Sequence, residues 1–416
     1  MSERLQPVRG TQDLLPAAMR RFRAVTETSR RIAERFGYEE IATPIFEFSE
    51  VFSRPIGETT DIVMKEMYSF ADKSGEKLSL RPENTAGVVR AVMTNGLTQS
   101  LPLRLFYHGP MFRYERPQKG RFRQFHQIGI ELIGVKEPQG DVEAISLGAE
   151  ILDALGVLKR TVLELNTLGD GESRGAYRDA LVKFYKDHHH KLSEDSRHRL
   201  ERNPLRILDS KDEGDKRINA QAPPFAGFLT PASRDFYAAV KRGLDDLGIS
   251  YTENPRLVRG LDYYCHTAFE FTTTDLGAQG TVLAGGRYDG LMGVMGGPET
   301  PGVGWAGGIE RLALMIAEPP PAPRPIALIP IGAEGEALAL KLAFELRRAG
   351  FAVDLAYSGN LQKRMRRADK IKARAAVILG EDELKRGSAA IRDLDSGNQT
   401  ETPLAGLKDR LAAFRS

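Results

Sequence analysis

The chain has 416 residues, 41% hydrophobic and 28% charged, and its 59 basic and 56 acidic side chains leave a net charge of +3. That composition belongs to a folded chain rather than a disordered one, and at roughly 150 residues per domain it predicts two or three domains. The single cysteine, Cys265, excludes an intramolecular disulfide and a thiolate zinc site. No window approaches ~18 consecutive apolar residues, which excludes a membrane-spanning helix. MSERLQPVRGTQDLL lacks the apolar core of a signal peptide, so the cytoplasm is the expected compartment, with no membrane partner. A charge of +3 neither requires nor forbids a nucleic-acid partner.

From Ala17 to Gly37, the residues Met19, Phe22, Val25, Ile32 and Phe36 recur at helical spacing, with Pro16 at the entry and Gly37 at the exit. YEEIATPIFE (38–47) reads as a strand, with Pro44 marking an edge or a bulge. Residues 104–133 read as a hairpin, RLFYHGPMFRYE and FRQFHQIGIELIG being its arms and RPQKGR its turn. Residues 170–250 are charge-dense, helix-like and contain four of the seven histidines, as an insertion interrupting a sheet would. Strand-like sequence resumes at LVRGLDYYCHTAFEFTTT (257–274) and runs through a glycine-rich stretch to the helix GIERLALMIAE (308–318). The stiff EPPPAPRP (318–325) marks a domain boundary. Beyond it strand and helix alternate, which predicts a small α/β domain with a mostly parallel sheet.

Two common phosphate-binding loops can be set aside. Residues 302–307 (GVGWAG) fit the spacing of a dinucleotide fingerprint, but the helix that follows leads into prolines instead of a second strand with an acidic residue. The chain contains no Gly-Lys pair, hence no P-loop. The hairpin is more informative. Arg113 and Glu115 are expected on one strand face; on the return arm Phe125, Gln127, Gly129 and Glu131 share a face, with Ile128, Ile130 and Leu132 on the other. Such a polar face is either solvated or a ligand surface. The cations Arg113, Arg116, Lys119, Arg121 and Arg123 repel one another unless a polyanion or carboxylates offset them. His188, His189, His190 and His198 read as an insertion surface and not as a metal site, and Cys265 as a packed strand residue.

Taken in order, the motifs resemble the class II aminoacyl-tRNA synthetases, and among them the histidyl-tRNA synthetase family. Class motif one is similar to the helix 17–36 and the strand ending at Pro44; motif two to PMFRYERPQKGRFRQFHQIGIELIG (110–134); motif three to PGVGWAGGIERL (301–312). LVRGLDYY (257–264) and AGGRYDGL (284–291) resemble the histidine-specific signatures, and PVRGTQDLLP (7–16) and SLRPENTA (79–86) also match. The resemblance implies an α+β fold. Its catalytic domain, over 1–320, would have an antiparallel sheet of six to seven strands flanked by helices, interrupted by a mostly helical insertion at 170–250. A proline linker at 321–325 would precede an α/β anticodon-binding domain at 326–416.

The implied reaction attaches L-histidine to tRNA(His) through histidyl-adenylate, with ATP as substrate, Mg2+ as its counter-ion, and a homodimer as the assembly. By resemblance, Arg113 and Arg259 are the catalytic cations at the α-phosphate, and Phe125 and Arg311 sandwich the adenine. Arg121 reaches the γ-phosphate, and Glu115 accepts from the adenine amino group or orients Arg113. Glu131 and Tyr264 face the imidazole; Glu83, Thr85 and Gln127 hold the α-amino group, with Tyr263 lining the pocket. Arg116 and Gln118 contact the tRNA acceptor end, and no dedicated metal ligands are implied. Between Lys363 and Arg374 seven cations face one acid, Asp369, which is either a solvated helix face or an RNA surface. A histidine-sensing regulatory relative and a plain RNA-binding module are the competing readings. The first is expected to lose the motif arginines, and the second has no use for adenine plates.

Overall fold

Prolines set the first boundaries of the fold. The computed structural model describes residues 4–57, 60–118, 120–208, 210, 212–258, 260–277, 280–319 and 321–415. Helix α1 (Pro16–Arg35) begins on Pro16, whose missing N–H has no partner to lose there, and buries Phe22, Val25 and Ile32. The strand expected over 38–47 is two strands, β1 (Glu39–Glu40) and β2 (Phe46–Phe48), in different sheets. Pro44 cannot donate to a ladder and restricts Thr43 before it, so the chain changes sheet there. Helix α2 (Glu50–Ile56) follows, and β3 (Ser69–Ala71) and β4 (Lys77–Leu80) complete a small antiparallel sheet with β2. After α3 (Thr85–Thr94), the hairpin β5 (Leu103–Phe112) and β6 (Gln124–Ile133) pairs over its whole length, from Leu103↔Ile133 to Phe112↔Gln124.

The chain continues through α4 (Pro138–Ala154), β7 (Val162–Thr167), and the helices α5 (Gly171–Asp187), α6 (Glu194–Arg202), α7 (Glu213–Asn219) and α8 (Pro231–Asp246). It returns to the sheet with β8 (Thr252–Glu253), β9 (Cys265–Thr272) and β10 (Thr281–Arg287), then α9 (Leu291–Val294), β11 (Gly302–Gly308) and α10 (Ile309–Met315). The large sheet has the order β1-β5-β6-β11-β10-β9-β7-β8. Its six central strands are antiparallel; the two-residue strands β1 and β8 add a parallel pairing at each edge. Helices α1, α4 and α10 cover one face, where Ile128, Ile130 and Leu132 of β6 join the main core. Trp305 of β11 packs into the same core and donates its indole N–H to the Ala144 carbonyl at 2.8 Å. The opposite face of β6 is thereby left for other work.

Within 170–250 only part of the segment has a core of its own, built from Tyr177, Leu181, Tyr185, Leu192, Leu200, Ile207 and Ile218. Helix α8 instead packs on α4 and buries Val240 and Leu244 in the main core. Residues Met1–Pro319 form one compact unit and Pro320–Ser416 a second. The second unit contains β12 (Ile326–Pro330), α11 (Gly332–Arg348), β13 (Val353–Leu355), α12 (Leu361–Lys370), β14 (Ala375–Leu379), α13 (Glu381–Lys385), β15 (Ser388–Asp393), β16 (Gln399–Pro403) and α14 (Leu407–Leu411). Its sheet, β13-β12-β14-β15-β16, is parallel through β14 and antiparallel beyond. The basic run is not one uniform surface. Arg364 is buried, bonded to the Pro330 carbonyl and to Glu336, and Arg367 is paired with Asp354 at 2.7 Å. Lys363, Arg366, Lys370 and Lys372 remain exposed.

One buried ion pair ties the sheet to its helix layer. Arg287, at the end of β10, and Asp141, in the first turn of α4, are both fully buried. The guanidinium also donates to the Val135 and Glu137 carbonyls and to Asp289, so its donors are nearly all used. Removing one member of such a pair strands the other charge. Asp141→Ala is therefore expected to lower unfolding stability by about 3–5 kcal/mol in urea titration; a loss below about 1 kcal/mol, the surface-pair range, would contradict this account.

Candidate active site

On its β11 side the free face of β6 is bordered by small residues. Across β11 the partners of Glu131, Gly129 and Gln127 are Gly304, Ala306 and Gly308, and across β10 Ala306 and Gly304 meet Ala284 and Gly286. A Cβ on Gly304 would fall onto the Glu131 carboxylate, and one on Gly129 onto the Tyr107 ring. This strip leaves a cavity of about 220 Å³ above the sheet. Glu83, Thr85, Arg113, Glu115, Arg121, Phe125, Gln127, Tyr263, Tyr264 and Arg311 all line it; Glu131 is fully buried behind one end of this lining, bonded to Thr85 and Tyr107.

At that end Glu131 accepts from Thr85 Oγ1 at 2.7 Å, from the Tyr107 hydroxyl at 3.4 Å, and from the Tyr288 hydroxyl. Burial pushes its carboxyl up to about 8, although the hydroxyl donors pull the other way. Glu83 sits at the start of α3 and accepts from the Thr85 and Ala86 backbone N–H groups at 2.6 and 3.0 Å; burial still holds its carboxyl above the usual range. Arg81 fastens this segment to the sheet by donating to the Pro110 and Thr43 carbonyls. The buried Gln127 Oε1 and Tyr263 hydroxyl have no hydrogen-bond partner among the described residues. Buried polar atoms left unpaired are costly, so this end is built for a polar guest.

The other end is cationic and aromatic. The Arg113 guanidinium lies 5.4 Å from the Phe125 ring centroid, and its Nε donates to the Pro82 carbonyl at 2.9 Å. Arg311, in the first turn of α10, donates to the Thr281 carbonyl at 2.6 Å and the Gly120 carbonyl at 3.2 Å. Burial lowers its pKa from the usual arginine value. Arg121 is ion-paired with Glu115. Burial and the nearby Glu115 charge raise the neighbouring Glu66 carboxyl.

Several sequence expectations change. Arg113 and Glu115 do not share a strand face, because β5 ends at Phe112; the chain bends there and the Glu115 N–H donates to the Arg113 carbonyl. Glu115 engages Arg121, and Arg113 is oriented by the Pro82 carbonyl. A merely solvated hairpin face is ruled out by the full burial of Glu131. Arg116 and Gln118 are exposed at the hairpin tip, where the Gln118 and Arg121 backbones bridge. Arg259 and Lys119 lie outside the described residues. Cys265 is buried, its thiol pushed up to about 12 by burial, and stays protonated. Among the described residues, no group of three or more His, Cys, Asp or Glu side chains could hold a metal ion.

Sequence reading missed Tyr107, Tyr288 and Glu310. Tyr107 lies opposite Gly129 in the hairpin, and its ring fills the space that the glycine leaves. A large aromatic facing a glycine is a readable signal once the register is known. Tyr288 lies within AGGRYDGL and Glu310 directly precedes Arg311, but neither position signals its contact until the strands pair.

A histidyl-tRNA synthetase family model matches residues 10–312, and an anticodon-binding-domain model matches 326–413. The chain belongs to the histidyl-tRNA synthetase family. It is 61% identical over 411 residues to the histidine–tRNA ligase of Rhodospirillum rubrum, covering 99% of both chains. It is also 57% identical over 410 residues to that of Gluconacetobacter diazotrophicus, again over 99% of both. The crystal structure of apo Staphylococcus aureus histidyl-tRNA synthetase superposes with a TM-score of 0.83 at 34% identity, covering 98% of this chain and 99% of that one. The fold is accordingly the class II synthetase fold with a C-terminal anticodon-binding domain.

Because Glu131 is raised from 4.5 to about 8 on folding, the folded chain retains a proton that the unfolded chain releases. The stability this group contributes is fully present below pH 4.5 and is lost as pH rises through about 8. Glu131→Gln cannot titrate. Its thermal midpoint is expected to gain on that of the wild type as pH rises from 4.5 to 8; parallel curves over that window would contradict the buried-acid assignment.

Proposed function

We propose that this cavity activates L-histidine with ATP, releasing pyrophosphate, and that the histidyl group then passes to the 3′-terminal ribose of tRNA(His). The observation that carries this reading is the cavity's two-ended chemistry, a buried carboxylate with orphaned polar atoms at one end and three arginines with Phe125 at the other. An imidazole presents two ring nitrogens. Glu131 and Tyr264 would pair them, while Glu83, Thr85 and Gln127 receive the α-amino group beside Tyr263. A pocket built to hydrogen-bond its substrate rejects an apolar analogue by roughly 10⁴–10⁵-fold, because its own buried groups are left unpaired.

Attack of the histidine carboxylate on the α-phosphate adds charge at phosphorus, so fixed cations contribute more than a proton shuttle. Arg113 would stabilise that charge, with Arg259, which lies outside the described residues, approaching from the opposite side. Phe125 and Arg311 offer an aromatic face and a guanidinium plane for the adenine. Arg121 would reach the γ-phosphate once its pair with Glu115 opens, and freeing Glu115 would let it accept from the adenine amino group. Mg2+ would enter with ATP as the counter-ion of its phosphates.

The remaining assignments rest on placement. The exposed Arg116 and Gln118 at the hairpin tip suit the tRNA acceptor end, and the exposed cations around α12 suit anticodon phosphates in a domain spanning 326–416. A catalytic domain over 1–320 and a linker at 321–325 complete this division. Phe46, Phe48 and Phe70 are exposed on the small sheet, which supports a homodimer that covers them. Sedimentation at micromolar concentration is expected to show about twice the monomer mass, and a monomer there would remove the dimer from the proposal. The lone buried cysteine supports a cytoplasmic location, and no helix among the described residues is long and apolar enough to cross a membrane.

Histidine-dependent ATP–pyrophosphate exchange tests the site directly. Glu131→Ala is expected to raise KM for histidine by at least about 100-fold while moving KM for ATP only a few-fold. Equal shifts in both would sink the assignment of the two ends.

A further inference from the structure

Strand β11 pairs with β6 only as far as Gly308↔Gln127, because the next residue, Ile309, begins α10. The ladder would leave the N–H of His126 without a strand partner. A side chain takes it instead: the Glu310 carboxylate accepts this backbone N–H on both oxygens, at 2.9 and 3.1 Å. The same carboxylate takes the ring Nδ1 of His126 at 2.8 Å, which places that ring's proton on Nδ1. Glu310 is nearly buried, and the edge-on contact of the His126 ring with Phe22 of α1, with centroids 4.8 Å apart, holds the imidazole from the other side.

The sequence neighbours of this contact are the two adenine plates. Phe125 precedes His126, and Arg311 follows Glu310. We infer that Glu310 and His126 are positioning residues, a bracket that closes the ring Phe125–His126···Glu310–Arg311 and sets the gap into which the adenine slides. The inference rests on the reading of Phe125 and Arg311 as adenine-binding. Phe125 is the second residue of β6, paired on one side with Met111 of β5 but beyond the end of the β11 ladder on the other, and Arg311 stands on a seven-residue helix that begins where that ladder stops. A carboxylate receiving two donors from one residue holds both translation and rotation of that residue. Glu310 reaches the cavity wall, but both its oxygens are engaged with His126, so it acts on ATP through the plates and not by touching the reacting atoms.

The test is histidine-dependent ATP–pyrophosphate exchange on the full chain, with ATP and histidine varied separately. Glu310→Ala is expected to raise KM for ATP about 10-fold, with kcat moving far less and KM for histidine staying within about twofold. Glu310→Gln keeps an acceptor for the His126 backbone N–H and is expected to recover part of the loss. His126→Phe keeps a ring against Phe22 but loses Nδ1; it is expected to give a smaller rise and to add nothing on top of Glu310→Ala. A fall in kcat with KM for ATP unmoved overturns the bracket, as do additive effects in the double variant or a parallel rise in KM for histidine. Should Glu310→Ala fail to fold by circular dichroism, Glu310→Gln, His126→Phe and their double variant make the same comparison. Absence of exchange in the wild type overturns the reading of the cavity itself. Normal wild-type exchange with KM for ATP unchanged in the variants overturns the bracket alone.

Discussion

A carboxylate removed from solvent must find donors or keep its proton, and around Glu131 the structure arranges for both. Three hydroxyls, from Thr85, Tyr107 and Tyr288, converge on it from α3, β5 and the turn after β10. Burial nevertheless holds its proton well above the ordinary carboxylate range. The Tyr107 ring has room because Gly129 lies opposite it, and on the other side of Glu131 strand β11 presents only Gly304. Gly304 and Gly129 are glycine for reasons of space, since a methyl group at either would collide with the carboxylate or with Tyr107. The glycine content of the chain is, at this point, the room the site needs.

The rest of the fold supports that arrangement. The six antiparallel strands turn one face of β6 into the core through Ile128, Ile130 and Leu132, which commits Phe125, Gln127, Gly129 and Glu131 to the other. The Arg287–Asp141 pair holds the end of β10 against α4, and Arg81 holds the 82–85 segment above the sheet. Neither arginine belongs to the cavity lining, yet each fixes a backbone from which lining residues project. The cavity arginines are anchored as well, Arg113 on the Pro82 carbonyl, Arg121 on Glu115 and Arg311 on the Thr281 and Gly120 carbonyls, but unlike Arg81 and Arg287 they also line the cavity.

Much of the site was legible because its residues sit at strand period or in short motifs. Period two in FHQIGIELI separates the core face from the site face without any coordinates. Pro44 and the prolines near 320 announce changes of direction through local chemistry alone. Tyr107 was invisible because its importance depends on lying opposite Gly129, a register that neither residue states by itself. Arg364 looked like one of seven equivalent cations, but its place on the inner side of α12 makes it a structural residue bound to Pro330 and Glu336.

Sequence alone determined which chemical groups were available and in what order, together with the elements and motifs that identify the family, because periodicity, proline and glycine act over a few residues. Tertiary structure decided which groups face one another across strands far apart in the chain. Thr85, Tyr107, Glu131 and Tyr288 span 204 positions from first to last yet meet at one carboxylate. Burial is a property of that assembled environment, and so are the pKa of Glu131, the pairing of Glu115 with Arg121 and the contact of Glu310 with His126. Each depends on dielectric and distance, which exist only once the strands have paired.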